Sequence, residues 1–195
     1  MKLIFFLLPF LIFTVVVFNR CANFKTSNTV KASPKESFYK LSAKTIDGLD
    51  VSMSEYRDKK ILIVNVASQC GYTSQYKELQ NLHSNYGNKV HILAFPSNDF
   101  LGQEPGSNEQ IKNFCEVNFG VKFDLFEKIS VKGKEIHPIF KWLSDKNKNG
   151  WNTKVPTWNF SKYLIDENGS LISVWGPQVS PTSEYIISKI NNQKK

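Results

Sequence analysis

The sequence ILIVNVA at residues 61–67 is a nearly continuous apolar run that leads into a helical pattern. An uninterrupted apolar run of this length is typical of a strand covered on both faces of a sheet. Apolar side chains then recur at helical spacing, at Tyr76, Leu79, Leu82 and Tyr86. We therefore predict a buried strand followed by a helix, with Cys70 in the turn between them.

The segments on either side of this unit predict a hairpin, a second strand and a second helix. Asp47-Gly48 supplies the positive φ angles of a tight turn between strands at residues 38–41 and 49–53. Residues 90–95 form another buried strand. Ser107 and Gln110 then have the spacing of a capping box, which predicts the start of a helix. The apolar residues of this helix are expected to face inward, namely Ile111, Phe114 and Cys115.

The C-terminal part of the chain completes the pattern. His137-Pro138 begins a helical turn, and residues 166–169 form a turn between strands at 158–165 and 171–175. Ser180-Pro181 caps a last helix that extends through Ile190. Two strand–helix units followed by an antiparallel hairpin and a helix predict an α/β protein. Its mixed central sheet is flanked by helices, as in the thioredoxin-like fold.

Composition excludes several classes of protein. The chain has 195 residues, of which 41% are hydrophobic and 22% charged, as expected for one globular domain. The net charge is +8, and residues 1–36 carry five basic residues and one acidic residue. The remainder of the chain therefore has twenty basic and sixteen acidic residues. This diffuse excess forms no basic stripe and argues against nucleic-acid binding. The three cysteines, Cys21, Cys70 and Cys115, show no zinc-ligand spacing.

The N-terminus has the features of a targeting segment. Residues 3–18 are uncharged and apolar, and their length lies between that of a signal-peptide core and that of a spanning helix. Residues 1–20 are therefore a signal peptide or a signal anchor. Residues 21–36 are a transit-like segment or a flexible linker, and residues 37–195 form the folded domain. We expect the chain to enter the secretory route and to continue to an organelle such as a plastid. The alternatives are that the protein is secreted or stays anchored in a membrane.

Cys70 is the residue best placed for chemistry. It follows the strand at residues 61–67 and precedes the helix by a few residues, so its sulfur is expected at a helix N-terminus. Unpaired N–H groups and the positive end of the helix dipole favour a thiolate there. A buried, inert cysteine is the alternative at such a position.

Three segments resemble the glutathione peroxidase family and occur in the order found in that family. They are NVASQCGYT at residues 65–73, FPSNDFLGQEPG at 95–106 and WNFSKYLIDENG at 158–169. The resemblance implies that Cys70 is the peroxidatic cysteine and that Gln103, Trp158 and Asn159 complete its catalytic tetrad. These neutral donors would stabilise anionic sulfur and the departing oxygen of a hydroperoxide, with no metal or organic cofactor.

The resemblance also implies how the enzyme is recycled. Cys115 matches the resolving cysteine of members without selenium, which would trap oxidised Cys70 as a disulfide. Such members are reduced by thioredoxin rather than glutathione, and the short segment between Ile129 and Thr157 implies a monomer with a site open to lipid hydroperoxides. Two departures are Ser97, where many members have Cys, and Asp99, where many have Gln.

One alternative function remains open at this point. A peroxide sensor would use the same oxidation of Cys70 and would pass the resulting disulfide to a partner protein. Contact with a membrane through the leader is compatible with either function.

Overall fold

The computed structural model describes the backbone of residues 24–26 and the whole of residues 33–192. The predicted signal segment at residues 1–20 and Cys21 lie outside this part of the chain, so the predictions made for them stay predictions. Within the described residues, every helix is too short or too polar to cross a lipid bilayer.

Eight strands and five α-helices form the described structure. The strands are β1 (Phe24–Thr26), β2 (Ser42–Lys44), β3 (Asp50–Ser52), β4 (Lys60–Val66), β5 (Val90–Pro96), β6 (Asp124–Leu125), β7 (Lys162–Ile165) and β8 (Leu171–Trp175). The helices are α1 (Gln75–Tyr86), α2 (Asn108–Phe119), α3 (Pro138–Ser144), α4 (Lys146–Asn149) and α5 (Glu184–Asn191). Short 3-10 turns at Phe38–Lys40 and Met53–Tyr56 flank the β2–β3 hairpin.

Six strands form one mixed sheet in the order β1-β8-β7-β4-β5-β6. The pairs β4–β5 and β5–β6 are parallel, whereas β4–β7, β7–β8 and β1–β8 are antiparallel. The parallel connections carry α1 and α2, and the antiparallel β7–β8 hairpin is followed by α5. This arrangement confirms the predicted α/β, thioredoxin-like architecture.

The central strand β4 is buried along its whole length because it faces two hydrophobic clusters. Leu62, Val64 and Val66 point into a cluster formed with α1, α2 and α5. Ile61 and Ile63 point to the opposite face, into a cluster that contains the apolar side chains of α3. Both faces therefore need apolar side chains, which explains the continuous apolar run.

Three predicted boundaries were wrong. The hairpin at Asp47-Gly48 forms, but its strands are β2 and β3, because residues 38–40 and 53–56 adopt 3-10 turns. Residues 158–161 are irregular, and β7 begins only at Lys162. The last helix begins at Glu184 with Ser183 as its N-cap, so Ser180-Pro181 lies in the preceding turn.

Candidate active site

Cys70 lies in a turn that joins β4 to α1. Its N–H donates to Oγ1 of Thr73 over 2.9 Å, and this hydroxyl donates to the carbonyl of Ala67, also over 2.9 Å. The Thr73 side chain therefore closes the turn. The N–H of Tyr72 points at the sulfur, with an N···Sγ distance of 3.5 Å. Cys70 retains 8% of its surface exposed, so its sulfur lies in a sheltered turn that donates a hydrogen bond to it.

The expected placement of Cys70 at the entry to a helix is confirmed. Turn-type hydrogen bonds run from the N–H groups of residues 73, 75, 76 and 77 to carbonyls three residues earlier. They wind the chain into α1, which begins at Gln75. These N–H groups are therefore paired with carbonyls of the turn, and the N–H that points at the Cys70 sulfur is that of Tyr72.

The loop at residues 98–106 is docked onto this turn by its backbone and by Glu104. The N–H of Gln69 donates to the carbonyl of Gln103 over 3.0 Å. Both the N–H and the hydroxyl of Ser68 donate to the Glu104 carboxylate, over 2.8 and 2.6 Å. These three hydrogen bonds fix Gln103 beside the residues that precede Cys70.

Glu104 is a fully buried carboxylate, which is uncommon without a cationic partner. Burial raises its pKa, while the hydrogen bonds from Ser68 and the nearby Lys128 ammonium act in the opposite direction. The Lys128 ammonium contacts the carbonyls of Glu104 and Gly106 rather than the carboxylate. Glu104 therefore serves as an acceptor that holds the turn.

Gln103 and Asn159 meet directly although they come from different segments. Nδ2 of Asn159 donates to Oε1 of Gln103 over 3.0 Å. The partly buried Trp158 ring packs against Phe100, with 5.5 Å between the ring centroids. Oδ1 of Asn159 is buried and has no hydrogen-bond partner among the described residues.

Asn65 of β4 fixes the segment that carries Trp158 and Asn159. Its Nδ2 donates to the carbonyl of Trp158, its Oδ1 accepts from the N–H of Ser161, and its carbonyl accepts from the N–H of Phe160. Phe160 has a φ of 65°, a conformation that costs a residue other than glycine about 1–3 kcal/mol. The hydrogen bonds of Asn65 offset this strain.

The structure thus bonds Gln103 to the turn that holds Cys70 and bonds Asn159 to Gln103, and Trp158 precedes Asn159 in the same segment. Cys115 lies apart from this group, on α2. Both cysteines have free thiols and belong to the same hydrophobic cluster.

Cys115 is fully buried between α2 and α1. Burial raises the pKa of its thiol to about 12, despite the neighbouring Tyr76 hydroxyl, which lowers it. The Tyr76 ring contacts Phe114 and Phe119 on the two sides of Cys115, with centroid distances of 6.5 and 5.3 Å. In this state the Cys115 thiol is shielded from solvent, and its raised pKa favours the protonated form.

Helix α2 has a defined cap at each end. The predicted capping box is confirmed, since Ser107 accepts from the N–H of Gln110 and Gln110 accepts from the N–H of Ser107. At the other end, Gly120 has a φ of 61° and its N–H bonds to the carbonyl of Glu116. These caps oppose fraying of the segment that carries Cys115.

Ser97 and Asp99 have structural contacts. Ser97 is fully buried and its N–H donates to the carbonyl of Val66. The Asp99 carboxylate accepts from the N–H groups of Val131 and Lys132, over 2.6 and 3.3 Å. Asp99 therefore anchors the loop at residues 130–132 to the loop that carries Gln103.

An open cavity of about 400 Å³ lies between the Cys70 turn and α2. Its wall includes Gln69 on the turn, Glu104 on the docked loop, and Ile111 and Phe114 on α2. The cavity thus extends from Gln69, the residue before Cys70, to Phe114, the residue before Cys115. No group of three or more histidine, cysteine or carboxylate side chains suited to a metal ion occurs in residues 33–192.

Sequence reasoning missed three residues that hold the site together. Asn65 was detectable in principle, since a polar side chain inside an apolar strand must find a hydrogen-bond partner. Thr73 and Glu104 gave no such signal because they lie in turns, where polar residues are common. Their role appears only through contacts with Cys70, Ala67 and Ser68.

Comparison with known proteins identifies the family to which the chain is similar. The glutathione peroxidase family model matches residues 38–144. The chain is 45% identical to "Glutathione peroxidase homolog BsaA" of Halalkalibacterium halodurans over 146 residues, which cover 74% of this chain and 92% of that protein. It is 40% identical to "Hydroperoxy fatty acid reductase gpx1" of Synechocystis over 159 residues, which cover 77% and 92%.

A solved structure supports the same relationship. The crystal structure of Trgpx in apo form superimposes with a TM-score of 0.62 at 31% sequence identity, covering 81% of this chain and 97% of that one. From the matched model, the identities and the superposition together, we conclude that the chain belongs to the glutathione peroxidase family.

Proposed function

We propose that this protein reduces hydrogen peroxide and organic hydroperoxides, including those of lipids, through Cys70. The observation that carries the proposal is the hydrogen-bonded assembly of Gln103 and Asn159 beside the turn that presents the Cys70 sulfur. Trp158 lies in the same segment as Asn159. A name given to one relative, hydroperoxy fatty acid reductase, supports the choice of substrate class.

In the first step the Cys70 thiolate attacks one oxygen of R–O–O–H. A sulfur–oxygen bond forms, the oxygen–oxygen bond breaks, and the departing R–O⁻ takes up a proton to leave as an alcohol, or as water when the substrate is hydrogen peroxide. Negative charge develops on the departing oxygen, so donors fixed in advance stabilise the transition state more than the ground state. The amides of Gln103 and Asn159 and the Trp158 indole N–H are neutral groups suited to this task.

The second step resolves the Cys70 sulfenic acid. The Cys115 sulfur attacks the Cys70 sulfur, the disulfide forms, and the hydroxyl of the sulfenic acid leaves as water. Because Cys115 is fully buried and its pKa is raised to about 12, this step requires α2 to release it. A disulfide also needs Cα atoms within about 7 Å. We therefore expect residues 107–120 to move after Cys70 is oxidised.

The third step returns the protein to its reduced state. A dithiol protein of the thioredoxin type would open the Cys70–Cys115 disulfide by exchange, and its own two thiols would become oxidised. Glutathione is the less suitable reductant, because two molecules must act in sequence. The short segment between Ile129 and Thr157 fits a monomer that leaves this site accessible.

Coupled turnover tests the proposal. NADPH consumption is measured with thioredoxin and thioredoxin reductase, and separately with glutathione and glutathione reductase. The proteins are wild type, Cys70→Ser, Cys115→Ser and the control Cys21→Ser. We expect turnover with thioredoxin, its loss in Cys70→Ser and Cys115→Ser, and normal turnover in Cys21→Ser. If Cys115→Ser consumed NADPH with thioredoxin as fast as wild type, Cys115 would not be the resolving cysteine.

The same measurement separates the enzyme from a peroxide relay. A relay would give negligible NADPH consumption and a mixed disulfide between oxidised Cys70 and a partner protein. Capture of such a species without turnover would favour the relay.

We further propose that residues 1–20 direct the chain into the secretory route, with cleavage or anchoring deciding its final location. N-terminal sequencing of the mature protein from its native membrane or lumen fraction tests this. A mature chain that begins at Met1 in a soluble fraction would contradict it.

A further inference from the structure

We propose that Lys162 is a positioning residue for Cys70, which acts through Gln75 at the first position of α1. Lys162 is fully buried at the start of β7, three residues after Asn159. The inference rests on the proposed function only in taking Cys70 as the reacting residue.

The Lys162 ammonium is surrounded by three oxygen atoms. Its Nζ donates to Oε1 of Gln75 over 2.6 Å, to the carbonyl of Val179 over 2.6 Å and to the carbonyl of Pro177 over 3.1 Å. An ammonium has three N–H donors, so the three acceptors match the charged form of the side chain. A neutral amine has only two N–H donors and could not bond to all three acceptors.

This charge has no carboxylate partner within ion-pair distance among the described residues. Glu78 of α1 acts on it from farther away and is itself bonded to Ser180. The strand neighbours of Lys162, Val64 and Trp175, carry no charge. Burial lowers the pKa of Lys162 to about 7. Below about pH 7, a costly buried cation therefore lies next to the first residue of α1, where it favours nearby negative charge.

A chain of hydrogen bonds connects Lys162 to the Cys70 sulfur. Gln75, which accepts from Lys162, donates through its backbone N–H to the carbonyl of Tyr72 over 2.9 Å. The N–H of Tyr72 then points at Sγ of Cys70 over 3.5 Å. Nε2 of Gln75 also donates to the carbonyl of Pro177, so its side chain has a single orientation. Lys162 thus holds the side chain of Gln75, and the backbone N–H of Gln75 bonds to Tyr72, the residue whose own N–H points at the sulfur.

The chain offers a matched control in Lys60. This lysine is 3% exposed, and its Nζ donates to the carbonyls of Ile190 and Asn192 at the end of α5. Unlike Lys162, it also pairs with a carboxylate, that of Glu167, over 3.2 Å. It lies at the start of β4, at the opposite end of that strand from the Cys70 turn. Lys60→Met therefore removes a buried lysine with two carbonyl acceptors and leaves the Cys70 turn intact.

The test follows the alkylation of Cys70 by iodoacetamide between pH 5 and 9, with the reduced full-length protein and peptide-resolved mass spectrometry. We expect Lys162→Met to slow Cys70 alkylation at pH 6 about tenfold and to move its pH profile upward, since a nearby positive charge favours the thiolate. Lys60→Met should match wild type. Gln75→Met keeps the Lys162 charge but removes the hydrogen bond between Lys162 and the Gln75 side chain. It should slow alkylation less than Lys162→Met does.

Identical pH profiles for wild type and Lys162→Met would overturn the proposal, as would an equal change in Lys60→Met. If Lys162→Met does not fold, Gln75→Met provides the test. A pH profile of Cys70 alkylation equal to that of wild type in Gln75→Met would overturn the proposed connection between Lys162 and Cys70. Alkylation needs neither peroxide nor a reductant. A failure of peroxidase turnover would therefore overturn the proposed function while leaving this measurement of Lys162 interpretable.

Discussion

Nδ2 of Asn159 donates to Oε1 of Gln103 over 3.0 Å, although the two residues are 56 positions apart in the chain. This contact joins the segment after β5 to the segment before β7, and Gln69 joins the same loop to the Cys70 turn. Oε1 of Gln103 is occupied by this bond, so in the proposed mechanism its Nε2 is the group that donates to the substrate.

Asn159→Ala is expected to lower the rate of Cys70 oxidation by hydrogen peroxide by about 10²–10³, the usual cost of losing one fixed transition-state donor. Stopped-flow measurement of sulfenic acid formation checks this. Asn168→Ala is the control, because Asn168 lies exposed in the β7–β8 turn. A loss below threefold in Asn159→Ala would show that Asn159 does not contact the reacting atoms.

Asn65→Ala is expected to destabilise the protein by about 2–4 kcal/mol. It leaves the carbonyl of Trp158 and the N–H of Ser161 without their side-chain partners in the interior. The strained backbone at Phe160 then relaxes, so peroxide reactivity should fall as well. Urea unfolding gives the stability change, with the exposed Asn81→Ala on α1 as control. Equal stability of Asn65→Ala and wild type would contradict this account of the turn.

Glu104 makes the stability of the protein depend on pH in a particular direction. Its pKa is raised in the folded state, so the folded protein binds the proton more tightly than the unfolded chain does. Ionisation therefore costs stability, and the contribution of Glu104 falls as pH rises from about 4.5 through the raised pKa.

The difference in unfolding free energy between wild type and Glu104→Gln isolates this effect, because all other carboxyl groups are common to both proteins. We expect wild type to lose stability relative to Glu104→Gln as pH rises from 4 to 8. The exposed Glu135→Gln should give a constant difference. A difference that moves in favour of wild type would mean that the ionised carboxylate is net stabilising.

Gly120→Ala is expected to speed the formation of the Cys70–Cys115 disulfide several-fold. Gly120 ends α2 with a φ of 61°, and a side chain there costs about 1 kcal/mol, which favours release of Cys115. Gly133→Ala is the control, since Gly133 has a φ of 80°, similar open space around it and no place in α2.

Quenched-flow mass spectrometry after one equivalent of peroxide measures this disulfide directly. Oxidation of Cys70 itself should keep its wild-type rate in both glycine variants. Equal disulfide rates in Gly120→Ala and Gly133→Ala would mean that opening of the α2 C-terminus does not limit resolution.

The sequence by itself determined the elements whose signals are local. The apolar run of β4, the periodicity of α1 and the capping box of α2 depend on residues a few positions apart, and each was confirmed. The order of these elements was enough to predict a mixed sheet. The position of Cys70 between a strand and a helix was also local information.

Boundaries set by distant contacts were not accessible in this way. Residues 158–161 are apolar enough for a strand, but the hydrogen bonds of Asn65 hold them in a turn with a positive φ at Phe160. The two-residue β6 forms only because β5 offers it an edge to pair with. Such features depend on partners far away in the chain, so pattern and propensity carry no signal for them.

The residues of the candidate site also fall into those identified from the sequence and those identified only from the structure. Motif resemblance selected Cys70, Gln103, Trp158 and Asn159, whereas only the tertiary structure revealed the supports on which they rest, in Asn65, Thr73, Glu104 and Lys162. The physical reason is burial. A carboxylate or an ammonium in a sequence looks like a solvated surface group, and its function changes only when folding removes water and supplies hydrogen-bond partners from remote segments.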